Sequence, residues 1–100
     1  MVIYNITIKV DWSIHNDFKL WIEEEVLLES KNIESVQNSK FLKLLDVDTS
    51  DGMTYCLQHY FNDLQEYNQY KMADDLNFKQ RLAAKYKDKL VLFASVLSEV

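Results

Sequence analysis

Asn5, Thr7 and Lys9 recur at every second position near the start of the chain, and Thr54, Cys56, Gln58 and Tyr60 do the same near its middle. Amides, hydroxyls and a phenol spaced this way fall on one side of an extended strand, because successive side chains alternate across a pleated ribbon. Set on an otherwise apolar floor, such groups orient a small molecule by hydrogen bonding. Asn5, Thr7, Gln58 and Tyr60 are therefore the candidate ligand-binding residues. The plainer reading of the same set is a solvated or dimer-facing sheet surface.

Other chemistry is thinly represented. Histidines occur only at 15 and 59, too few and too far apart for a recognisable metal motif, so no metal and no cofactor is expected. Neither has an obvious sequence partner for acid–base work. His59 shares the parity of Tyr55 and Leu57 and is expected as a partly buried, hydrogen-bonded packing residue, whereas His15 is expected in an exposed first helical turn. Cys56, the only cysteine, excludes an internal disulfide or a multi-cysteine zinc site. It has no basic neighbour to activate its thiol and is expected to be buried and inert. Trp12 reads as a hinge-packing residue and Trp21 as core. One glycine and no proline exclude a phosphate-cradling P-loop and a dinucleotide-binding turn.

The formal charge is −5, and the ten lysines and single arginine, Arg81, are scattered. Nucleic-acid binders need a basic stripe to neutralise phosphates, so nucleic acid is not an expected partner. The run Glu23-Glu24-Glu25 reads as a solvated helix face. The first ten residues alternate polar and apolar, unlike a signal peptide, and no stretch is apolar for long enough to span a membrane. Cytoplasmic location follows as the expectation.

These residues need elements to hold them. Val2, Tyr4, Ile6, Ile8 and Val10 alternate with polar positions and predict a first strand over residues 2–10. Ser13 is placed to cap a helix running to about residue 30, with Ile14, Phe18, Trp21, Ile22 and Leu28 as its apolar stripe. A second strand is predicted from Gln37 to Val47, then a hairpin turn at Asp51-Gly52, then a third strand from Met53 to Phe61. Asn62 and Asp63 cap a second helix whose inner side holds Leu64, Tyr67 and Tyr70 or Lys71. Asp74-Asp75 looks like a second cap, so a kink or break is expected near Ala73, after which Phe78, Leu82, Ala83 and Tyr86 continue the apolar face. Leu90 to Leu97 predicts the last strand. The order β-α-β-β-α-β over residues 1–100 is a single α+β, ferredoxin-like domain with both helices on one face of a four-stranded antiparallel sheet.

Scattered positions also carry a family resemblance. Ile3-Tyr4-Asn5-x-Thr7, Asp11-x-Ser13-Ile14-His15, Trp21 with Glu24-Glu25, Thr54-Tyr55-x-x-Gln58 and Asp88-Lys89-x-x-x-Phe93 together resemble the bacterial domain of unknown function 4286 family over nearly the whole chain. The resemblance implies a ferredoxin-like α+β domain similar to dimeric α/β-barrel proteins, with no established activity. This chain carries Val26-Leu27-Leu28 where that family tends to have His-Ile-Pro, so no role of that histidine carries over.

Three kinds of function fit. The preferred one is a homodimeric α+β barrel that binds a small, partly apolar molecule without metal. The second is a cofactor-independent enzyme of the monooxygenase, isomerase or decarboxylase kind, with Lys9, Tyr60 or His59 as acid or base. The third is a non-catalytic interaction module. Some ferredoxin-like activities fall away: there is no basic-aromatic run for RNA, no arginine after the first strand for acylphosphatase chemistry, and no evident axial histidine for haem. The dimer has its own argument. Leu90, Leu92, Ala94 and Val96 alternate with Val91, Phe93 and Leu97, and only Ser95 is polar, so one apolar side of the last strand is left uncovered by helices.

Overall fold

Strand β1, Val2–Asp11, alternates buried and half-buried residues along its whole length, with Tyr4, Ile6, Ile8 and Val10 almost fully enclosed. The computed structural model describes residues 1–100. β1 pairs antiparallel with β3, Gly52–Phe61, on one side and with β4, Leu90–Ser98, on the other; β2, Asn38–Lys43, pairs with β3. The sheet order is β2-β3-β1-β4, the ferredoxin-like arrangement, with β1 and β3 central as expected.

Both helices cover the face that carries the even-numbered residues of β1. The first contains His15–Trp21, Ile22–Val26 and Leu27–Ser30 in succession, and the second Leu64–Tyr70, Lys71–Asp75 and Leu76–Tyr86. The middle segment of each is a π-helical turn, which holds more residues per turn than an α-helix and rotates the residues beyond it. In the first helix the inward stripe becomes Phe18, Trp21, Ile22 and Val26, and Leu28, expected inside, stands in solvent. In the second, Tyr70 and Asp75 are buried five positions apart, and Phe78, Leu82 and Tyr86 follow. Leu64 and Ala83, also expected inside, are exposed.

Of the kink or break expected near Ala73, no break occurs: the helix loses its α geometry in a π turn at Lys71–Asp75 and continues, and Asp75 is a core residue rather than a cap. The Tyr4 hydroxyl donates to Asp75 Oδ1 at 2.9 Å, and Lys79 and Lys71 approach Oδ2 at 2.9 and 3.4 Å. Three donors from two elements make the buried carboxylate tolerable. Elsewhere the caps follow composition, with one exchange of partner. Asp63 accepts from the Glu66 amide at 2.9 Å, but at the first helical turn Asp11, not Ser13, is the acceptor, taking the Ser13 amide at 2.8 Å.

β2 ends at Lys43 instead of Val47. Leu44 makes a last backbone bond to Thr54, then Asp46 takes a left-handed conformation (φ 63°), which aspartate tolerates better than most residues and which no strand accommodates. The indole of Trp12 donates to the Thr49 carbonyl at 2.8 Å and tethers this loop, so Trp12 is partly exposed and holds a loop rather than a hinge. Gly52 lies in β3 rather than in a turn. A Cβ there would collide with the carbonyl oxygen of Val10, so only glycine lets the strands meet at this position. No helix is long and apolar enough to cross a membrane.

Replacing Tyr4 by Phe keeps the aromatic packing and removes one donor from a buried carboxylate. Equilibrium urea unfolding is expected to show a loss of about 1.5–3 kcal/mol, the range for hydrogen bonds to charged groups; an unchanged midpoint would mean that Lys79 and Lys71 satisfy Asp75 without Tyr4.

Candidate functional site

Residues paired directly across neighbouring strands share a face, so the register maps the open side of the sheet row by row. Leu97, Ile3, Tyr60 and Asn38 form one row; Ser95, Asn5, Gln58 and Lys40 the next; Phe93, Thr7, Cys56 and Leu42 the third. Val91, Lys9 and Thr54 make the fourth. The second row is polar from edge to edge, and it includes Ser95, the one polar residue on this side of the last strand before its end.

The structure brings all four candidate binding residues into one hydrogen-bonded line. Tyr60 Oη donates to Gln58 Oε1 at 2.5 Å, Gln58 Nε2 to Asn5 Oδ1 at 3.1 Å, and Asn5 Nδ2 to Thr7 Oγ1 at 3.1 Å. Thr7 Oγ1 then lies 3.7 Å from Cys56 Sγ. Cys56 is half-buried beside this hydroxyl rather than sealed in the core, because it belongs to the open face. At the end of the line Lys40 Nζ stands 5.2 Å from the Tyr60 ring centre, and a hollow of about 440 Å³ adjoins Tyr60, Lys40 and Phe61.

The three acid–base candidates do not meet. Lys9 is held by Asp51 at 2.8 Å two rows from Gln58, Tyr60 is committed to Gln58, and His59 projects from the other side of the sheet. His15, expected in solvent, is instead half-buried. Its Nε2 lies 2.6 Å from the Tyr55 hydroxyl, and its ring stacks on Tyr55 with Trp12 beside it. Burial, with Glu23 nearby, raises the Tyr55 phenol above its usual value.

His59 faces the helices as its parity requires, but it is almost wholly enclosed, at 2% exposure. Its Nδ1 lies 2.7 Å from Ser39 Oγ and its ring packs 4.9 Å from that of Tyr70. Burial pushes its pKa down to about 4, against a smaller opposing pull from Asp75. Burial likewise raises Tyr70. Both line a cavity of about 250 Å³ between the two helices, with the Arg81 guanidinium at its edge bonded to both Glu29 oxygens at 2.6 and 3.0 Å. Sequence reasoning missed this cavity because its walls come from elements far apart in the chain. The visible signal was Tyr70 and Phe78 on one helical side, with His59 on the covered face of a central strand. No cluster of three or more His, Cys, Asp or Glu side chains lies together.

The sequence matches the model of the family described as domain of unknown function 4286 over residues 1–100. The chain belongs to that family. No curated protein matches the sequence. Among solved structures, this DUF4286 member is similar to a protein of the ethyl tert-butyl ether (EthD) family from Bacillus halodurans, at 16% identity and TM-score 0.70, with all of both chains covered. It is similar also to a putative antibiotic biosynthesis monooxygenase from Nitrosomonas europaea, at 13% identity and TM-score 0.70, covering 100% and 99% of the two chains. A third similar structure is a monooxygenase from Streptomyces coelicolor in complex with nanaomycin D, at 13% identity and TM-score 0.66, covering 99% and 87%. At these identities the likeness shows a shared ferredoxin-like α+β plan.

The depressed His59 value makes stability depend on pH. The unfolded histidine takes up a proton as pH falls through 6.5 while the folded one stays neutral to about 4, so stability is full above 6.5 and declines between these values. Urea unfolding at pH 7 and pH 4.5 is expected to differ by about 2–3 kcal/mol from this group, and His59→Gln is expected to flatten the decline between pH 6.5 and 5.

Proposed function

We propose that this DUF4286 member works as a cytoplasmic homodimer in which the open faces of two sheets pack together, and that Asn5, Thr7, Gln58 and Tyr60 bind a small, partly apolar molecule without a metal in the space this encloses. The observation that carries the dimer is the exposure of Val91, Phe93 and Leu97, at 70%, 62% and 47%, in rows on either side of the polar one. Each such side chain left in water forgoes about 1.5–3 kcal/mol of burial. A second copy is the occupant that fits, because the face is self-complementary: a two-fold axis through the polar row sets polar against polar and apolar against apolar.

The internal hydrogen bonds of the row support the same arrangement. Polar groups that satisfy one another can be covered without the cost of stripping water from unpaired donors and acceptors. Each primary amide in the line still has an N–H to offer, and the hollow beside Tyr60 provides room. A cytoplasmic setting fits a single free thiol. The monooxygenase names of two similar structures suggest a catalytic alternative, but Lys9 and Tyr60 are already paired and His59 lies across the sheet, so binding is the better-supported reading.

Light scattering after gel filtration at micromolar concentration is expected to give twice the chain mass, and Phe93→Asp to give a folded monomer, because it places a charge in an apolar row. A wild-type monomer would overturn the dimer. Thermal-shift screening of small metabolites is expected to yield stabilising compounds whose effect is lost in the double variant Gln58→Leu, Tyr60→Phe; compounds unaffected by that change bind elsewhere.

A further inference from the structure

The two helices lie side by side on one face of the sheet, and both carry a π-helical turn, Ile22–Val26 in the first and Lys71–Asp75 in the second. Each turn contributes a residue to the same space: Val26 from one helix and Asp74 from the other line the interhelical cavity. A wider turn in each of two packed helices prevents close ridge-into-groove contact there, so the cavity belongs to the fold and is not a packing flaw.

Two polar groups open into it. His59 has its Nδ1 at Ser39, while no protein group bonds its Nε2; the Tyr70 hydroxyl has no protein partner either. Both residues are 98% enclosed, yet no side-chain nitrogen or oxygen is both fully shut in and unpaired, which fits access to these two atoms through the cavity that both residues line. A buried imidazole nitrogen and a buried phenol, on rings 4.9 Å apart, stand beside Val26, Ile33 and Phe78 in a cavity whose remaining lining, from Glu29, Ser30, Asn32, Asp74, Asn77 and Arg81, is polar.

We propose that this cavity is a second binding site, separate from the open sheet face, for a small ring compound that bears a hydroxyl or carbonyl group and no negative charge. Its volume, about 250 Å³, admits a single ring and little more. An anion is disfavoured. Arg81 is held by both oxygens of Glu29 and offers an anion no free counter-charge, and the Asp74 carboxylate lines the same cavity. With the ring proton on Nδ1 donated to Ser39 Oγ, a ligand hydroxyl can donate a hydrogen bond to His59 Nε2 or accept one from Tyr70, and a carbonyl can accept from Tyr70, in each case without either protein group ionising.

Phenol is a suitable probe, with benzoate as its charged counterpart. In the wild-type protein labelled with ¹⁵N-histidine, a phenol titration is expected to shift the His59 ring signals saturably, with benzoate at least tenfold weaker. Tyr70→Phe, which keeps the ring and the packing, is expected to weaken phenol about fivefold by removing one hydrogen bond. The double variant Gln58→Leu, Tyr60→Phe is expected to bind phenol as the wild type does, which separates this site from the one proposed on the open face. The inference is overturned if His59 signals do not move, if benzoate binds equally well, or if the Gln58→Leu, Tyr60→Phe variant loses the phenol response.

Discussion

The bond from the Tyr4 hydroxyl to the Asp75 carboxylate organises the covered side of the sheet. A carboxylate this deep is costly unless several donors reach it, and here one comes from the central strand and two from lysines on its own helix. For Asp75 to point at the sheet five positions after Tyr70, the helix must widen into a π turn between them. That turn sets the inward side of every later residue in the helix, from Phe78 to Tyr86. Tyr86 then reaches Asp17 at 2.7 Å and joins the end of the second helix to the start of the first. The same turn keeps the helices apart over His59.

The sheet thus has two faces with different physical characters. The covered face is a continuous apolar and aromatic core, interrupted by a neutral histidine and a paired aspartate. The open face is banded: a polar row whose members satisfy one another, between rows that leave large apolar side chains in solvent. Lys9, Tyr60 and His59 do not converge on either face, and the close imidazole–phenol contact is that of His15 with Tyr55 at the start of the first helix. The likeness to monooxygenases at 13% identity is a likeness of scaffold, and function resides in the side chains placed on it.

Much of this was legible along the chain. Strict alternation in β1 and β3 assigns every residue to a face, because a strand has a period of two and a one-residue slip would invert both faces. The alternation therefore determined the ferredoxin-like order, the grouping of Asn5, Thr7, Gln58 and Tyr60, and the uncovered apolar side of the last strand. Scattered positions in the strands and the first helix were enough to place the chain in its family over residues 1–100. Helical periodicity was less reliable. A fixed step of 3.6 residues misplaces Leu28, which lies beyond the π turn of the first helix, and Asp74-Asp75 reads as a cap, because a π turn leaves no local mark in composition.

The features that only the tertiary structure decided involve partners distant in sequence. Asp75 is buried because Tyr4, 71 residues away, meets it; His15 is drawn inward because Tyr55 lies across from it; β2 stops early because Asp46 turns and Trp12 holds the loop at Thr49. The cavity beside His59 has walls from both helices, the connector after the first, and a central strand. Periodicity reports which side of its own element a residue occupies. Whether that side meets a donor, a ring or open space depends on how the elements pack, and no local pattern encodes that distance.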